Sequence, residues 1–99
     1  MATSTIEGIL TQVSEPTEYT DVKHISYPKS CTVTRVRVES DTVFRDLPLF
    51  SRLSSEYKGK KITIHEEYFT QSNKQYHTQQ AYVDNQEVLH AVTIRTAYK

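Results

Sequence analysis

"KGKKITIHEEYF", Lys58 to Phe69, sets three lysines and a glycine ahead of an alternating run. Ile62, Ile64, Glu66 and Tyr68 share one parity; Lys61, Thr63, His65, Glu67 and Phe69 share the other. Successive side chains of a strand point to opposite faces. The first set therefore predicts a core-facing side, clear at Ile62 and Ile64 and less defined through "EEYF". The lysines either present charge to a ligand or simply solvate the start of a strand.

Outward from this strand, the N-terminal flank "LFSRLSSEY" spaces Leu49, Phe50, Leu53 and Tyr57 as a helix would. One or two helical turns are expected there, packed on a sheet because so short a helix is unstable alone. Gly59 follows where a left-handed cap is expected. Further upstream, "CTVTRVRVES" alternates cleanly: Thr34, Val36 and Val38 on one face, Val33, Arg35, Arg37 and Glu39 on the other. This predicts a half-buried strand with arginines on its open side. "SD" at Ser40–Asp41 marks a turn. "TVFRDLPLF" begins a further strand that Pro48 is expected to end. In "TIEGILTQV", Thr5 to Val13, the alternation changes phase at Gly8–Ile9, which predicts a bulge or sharp bend. The following "SEPTEYTDVKHISYPKS" reads as a long connection, with a short edge strand at Tyr19 to Ile25.

On the C-terminal side, "TQSNKQYHTQQ" is polar and lacks apolar periodicity, so a long polar loop at about residues 70–80, or strand ends splayed into solvent, is expected. "AYV" returns to the sheet, "DNQ" turns, and "EVLHAVTIRTAY" is the last strand, with Val88, His90, Val92 and Ile94 on one side. With 99 residues, the chain 1–99 forms a single domain of mainly β class, with five to six strands.

Twelve basic and twelve acidic residues balance. No global field draws in nucleic acid or an anionic membrane, so any such contact needs a local patch. The single cysteine, Cys31, excludes an internal disulfide and a Cys-rich zinc site. "MATSTIEGIL" lacks the basic start and apolar stretch of a signal peptide, and no apolar run reaches the length of a membrane span. A soluble, cytoplasmic protein is expected, with no membrane partner.

The segments "EGILTQV", "TVTRVRVE" and "LPLFSRLSSEYKGKKITIHEEYF" resemble sequence of the OB-fold family of small Greek-key barrels. A first strand with an internal glycine, a Leu-Phe before a helix, and a "Gly-Lys-x-Ile-x-Ile" strand carry the likeness. The missing turn glycine in "ESDTVF" and the long first connection depart from it. The resemblance implies an OB-like Greek-key barrel with one short helix between its third and fourth strands. It also implies a ligand surface for single-stranded nucleic acid, by cationic contact to phosphate and by stacking on aromatics. Arg35, Arg37, Lys58, Lys60, Lys61 and Lys74 would contact phosphate; Tyr27, Phe69 and Tyr76 would stack. Glu39, Asp41 and Asp46 follow the arginines and oppose that use.

The second function class is a protein-interaction or self-assembling (homo-oligomeric) β module. The Tyr- and Gln-rich "SNKQYHTQQAY" suits a recognition surface and needs no net positive charge. His65, Glu67, His77 and His90 have no metal-site spacing, and Cys31 beside apolar residues reads as a packed side chain. No nucleophile elbow, phosphate loop or carboxylate pair is present, so no enzymatic activity, metal or cofactor is expected.

Overall fold

A computed structural model describes residues 2–19 and 31–96 of the chain. The strands are β1 (Ala2–Val13), β2 (Thr17–Tyr19), β3 (Cys31–Glu39), β4 (Phe44–Leu49), β5 (Lys61–Gln71), β6 (Lys74–Val83) and β7 (Gln86–Thr96). They form one strongly curled antiparallel sheet, a half-barrel, in the order β2-β3-β1-β5-β6-β7, with β4 on β3. β1 makes this curl possible by pairing twice. Its first half runs along β5, from Ala2↔Tyr68 to Ile9↔Lys61, and its second half runs along β3, from Ile9↔Glu39 to Val13↔Val36. β2 takes up the pairing with β3 where β1 leaves it, at Thr17↔Val33. Of the edge strand expected at Tyr19 to Ile25, residues 20–25 lie outside the described residues.

The core lies on the concave face. Ile62 and Ile64 are buried as the alternation requires, against Ile6, Leu10, Val36, Val38, Ala81, Val83 and Leu89. Thr34, Val36 and Val38 of β3 also face inward, while Arg35 and Glu39 are exposed. Val33 is buried too, although it shares the arginines' parity. Each fully buried Leu or Ile contributes roughly 1.5–3 kcal/mol.

Four local expectations are revised. The phase change of β1 falls at Leu10–Gln12, not at Gly8–Ile9. Ile6 and Leu10 keep one parity, Ile9 stays exposed, and the bulge then turns Val13 onto the core. Pro48 does not end β4, which continues to Leu49; β4 is an edge strand, where a missing N–H is tolerated.

The helix expected over 49–57 is reduced to a 3-10 turn at Ser55–Tyr57. Leu49 and Leu53 are buried and Phe50 and Tyr57 pack on the core, so the apolar spacing was real. The backbone there bonds to side chains instead of to itself. Phe50 N donates to Gln79 Oε1, Leu53 N to Thr34 Oγ1, and the Thr34 hydroxyl donates to Ser51 O. Those bonds remove the need for helical ones. Gly59 follows with φ +92°, in the left-handed region expected of it.

The largest revision concerns residues 70–80, which are not a loop. β5 and β6 stay paired to Gln71↔Lys74 around a two-residue turn, Ser72–Asn73. The apolar signal is missing because the convex face meets water and the concave face lines a cleft, so neither face needs a hydrophobic series. The turn at Asp84–Asn85 likewise joins β6 to β7. All four turn residues have positive φ, 52° and 63° in the first and 55° and 64° in the second. That is the signature of hairpin turns whose twist matches the strands. Changing Ser72–Asn73 to Asn-Gly should stabilise the fold by about 1 kcal/mol, read as a higher urea midpoint, because serine adopts the left-handed region unwillingly.

The expected last strand is present as β7. A register shift at Ala81/Tyr82 sets Leu89 and Ala91 inward. Val92 and Ile94 are 52% and 46% exposed. Among the described residues, no helix is long and apolar enough to cross a membrane.

Candidate functional site

Beyond Ile62 and Ile64 the concave face of β5 continues with Glu66, Tyr68 and Thr70. Their partners on β6 are Gln79, His77 and Gln75. The same pleat that builds the core therefore changes chemistry half-way along the hairpin. It lines an open cleft of ≈ 850 Å³, bordered by Leu47, Pro48 and Phe50 at the end of β4 and by Thr93 and Ile94 of β7. Ala2 completes the wall.

The floor is a polar network. Gln79, 1% exposed, donates from Nε2 to Pro48 O and to Glu66 Oε2, both at 2.9 Å, and accepts from Phe50 N at 2.8 Å. His77 Nε2 lies 3.0 Å from the same Glu66 oxygen. Glu66 Oε1 receives a long 3.5 Å bond from the Ser4 hydroxyl. Burial pushes the Glu66 pKa up, but the hydrogen bonds from His77 and Gln79 outweigh it, with smaller help from the His77 charge and Ser4. The carboxyl is held below its ordinary value. Burial, then the neighbouring Glu66, raises the Tyr68 hydroxyl.

Aromatic rings frame this network. Tyr68 stacks on His77 with centroids 4.2 Å apart, and Phe50 meets the His77 ring edge-on at 5.6 Å. Phe69 and Tyr76, a cross-strand pair of the opposite parity, stack at 4.8 Å at the rim. Such pairs stabilise a sheet by roughly 0.2–1 kcal/mol each.

A depressed carboxyl pKa stabilises the fold above the unfolded-state pKa, and that contribution is lost as pH falls through the folded value. For Glu66 the loss lies below about pH 4.5, its ordinary value. Urea midpoints measured from neutral pH down to about pH 3 should therefore fall less steeply in Glu66→Gln than in the unsubstituted protein. Parallel curves would remove Glu66 from the acid response.

The basic residues singled out from sequence lie elsewhere. Arg35 is exposed on β3. Arg37 binds Asp46 through two bonds, 2.7 and 3.0 Å, and lies 4.1 Å over the Phe44 ring. The Asp46 hydrogen bond raises the Arg37 pKa, and the same bond lowers that of Asp46. Lys58, Lys60 and Lys61 are exposed around the start of β5, where Lys60 O accepts from Leu10 N. In the register, Lys61 and Glu39 both pair with Ile9, Arg37 pairs with Gln12 and Arg35 with Pro48.

Phe69, Lys74 and Tyr76 are at the other end, by the Ser72–Asn73 turn. Lys61 and Phe69 are separated by roughly 25 Å along β5 at ~3.3 Å per residue. Tyr27 lies outside the described residues. Lys74 is thus placed with Phe69 and Tyr76, and Lys61 is not. His65 bonds Thr5 Oγ1 at 2.9 Å, and no three metal-ligating side chains gather among the described residues.

No family model, curated protein or solved structure matches this chain. The cleft's chemistry therefore rests on its own residues. Sequence reasoning passed over Phe50, Glu66, Tyr68, His77 and Gln79. The parity of Glu66 and Tyr68 with Ile62 and Ile64 was a usable signal for two of them. Gln79 offered none, because its partner segment on β4 is far away in the chain.

Proposed function

We propose that this chain is a non-enzymatic binding module that recognises another protein through the aromatic cleft at the end of the β5–β6 hairpin. The composition of the cleft carries this reading. Four aromatic rings and a buried carboxylate line it, with no Lys or Arg among its described lining residues. Recognition surfaces favour tyrosine and phenylalanine, and a carboxylate repels phosphate. Two features support the same class: β7 has no strand on its second edge among the described residues, and Val92 and Ile94 stand exposed beside it.

Single-stranded nucleic acid is the second reading. It is favoured by the exposed Lys58, Lys60 and Lys61 around the start of β5, and opposed by the Arg37–Asp46 pair and by the distance from Lys61 to Phe69 and Tyr76. The OB-like Greek-key barrel is proposed with it. β5 returning beside β1 after β3 and β4 supports that topology, as does Gln79 joining β6 to the end of β4. Direct pairing of β4 with β6 would require the edge that β7 occupies.

Two measurements separate the functions. Displayed random peptides selected on the protein should lose binding to Tyr68→Ala and Phe69→Ala. Labelled mixed-sequence single strands should not bind at low salt. Salt-sensitive strand binding abolished by Arg35→Glu with Lys61→Glu would reverse the ranking.

A further inference from the structure

We propose that the cleft receives a basic side chain, arginine or lysine, carried on an extended segment of the partner protein, with its charged head against Glu66. This inference rests on the protein-recognition reading above and names what that partner presents.

Glu66 is the one carboxylate lining the cleft, and no Lys or Arg among the described lining residues faces it. Its side chain is only 11% exposed. A carboxylate withdrawn this far from water is costly unless hydrogen-bonded and matched by opposite charge. Its two oxygens are served unequally. Oε2 takes both His77 at 3.0 Å and Gln79 at 2.9 Å, whereas Oε1 has the 3.5 Å Ser4 contact, with the Tyr68 hydroxyl also drawn to this carboxylate. Oε1 is thus the oxygen with capacity for a further donor. The bonds to His77 and Gln79 hold the group ionised and fix its direction, so the site is preorganised for a cation.

The walls suit the rest of such a side chain. Phe50, Tyr68, Phe69 and Tyr76 present ring faces and edges, which attract a cation and cover an alkyl stem. At ≈ 850 Å³ the cleft exceeds one side chain, leaving room for flanking residues. Thr93 and Ile94 place β7 at its border, and the second edge of β7 has no strand partner among the described residues. A segment adding to that edge would turn alternate side chains to the concave face that carries Glu66, the usual geometry of strand addition.

The test is an NMR titration with acetyl-Thr-Thr-Arg-Thr-Thr-amide and its lysine, citrulline and leucine versions. Citrulline keeps the shape of arginine and removes the charge. The arginine and lysine peptides should shift the amides of Tyr68, His77 and Thr93, and citrulline should bind at least about tenfold more weakly, the loss expected for removing one charge-assisted bond. In Glu66→Gln the arginine and citrulline peptides should become equal. If that variant does not fold, the arginine–citrulline comparison on the unsubstituted protein decides alone. Equal binding of arginine, citrulline and leucine peptides at the cleft would overturn the inference and leave protein recognition standing. No cleft shift with any peptide would overturn both.

Discussion

Gln79→Leu is expected to lower the unfolding free energy by about 3–5 kcal/mol, the larger part of a small domain's stability. Leucine matches the amide in size but has no polar atom. It would strand the Phe50 N–H, the Pro48 carbonyl and one bond to Glu66 Oε2 in a place the side chain keeps almost dry. Each stranded group costs about 1–3 kcal/mol. The effect also has a direction. Gln79 joins β6 to the end of β4, so its loss should release the Pro48–Phe50 segment and open the cleft. Urea unfolding gives the magnitude, and the amide shifts of Phe50 and His77 report the opening. Gln80→Leu, one residue along on the opposite face, should change stability by no more than about 0.5 kcal/mol. A mild Gln79→Leu would mean that β4 is held by apolar packing alone.

Gly8→Ala is expected to cost more than about 3 kcal/mol, above the usual range for one added methyl. The new Cβ would sit 2.4 Å from Glu39 O, 2.8 Å from Glu39 C and 3.0 Å from Val38 Cγ1. Two of these atoms are backbone, so no rotamer change relieves the contact. β1 would have to part from β3 just where it passes from pairing with β5 to pairing with β3, and the curl of the sheet depends on that passage. The chain's other glycine supplies the contrast. At Gly59 nothing lies within 4 Å of an added Cβ, but φ is +92°. Gly59→Ala should therefore cost about 1–2 kcal/mol, from conformation alone. Comparable losses at the two sites would show that β1 and β3 are less closely joined than this geometry requires.

Both effects involve residues whose importance was only partly visible in the chain. Gly8 marked the right strand but pointed to the wrong residue for the bulge, because a phase change shows that an extra residue is needed without saying where the partner strand admits it. The four residues Leu49, Phe50, Leu53 and Tyr57 were correctly drawn to the core. Their helical spacing misled because Thr34 and Gln79 offered the backbone bonds that a helix would otherwise supply. The polar stretch from Thr70 to Gln80 was silent for a different reason: a strand with water on one side and a cleft on the other carries no apolar period.

Among the candidate site residues, charge was easy to find and hard to place. Asp46 takes Arg37, Lys61 opens β5, and the stacking rings Phe69 and Tyr76 stand at the far end of that strand beside Lys74.

What the amino-acid order determined by itself is the local pleat: which residues of β3 and β5 face inward, where Gly59 must turn, and that the class is β. Alternation is a property of neighbours, and hydrophobic burial acts on each strand in the same way wherever it lies. Only the tertiary structure decided that β1 pairs on both sides, that Gln79 meets Pro48 and Phe50, and that Glu66 lies among aromatic rings with no Lys or Arg in the described lining of the cleft. Those contacts join segments far apart in the chain. Their energy depends on excluding water from both partners at once, a condition that neither stretch carries alone.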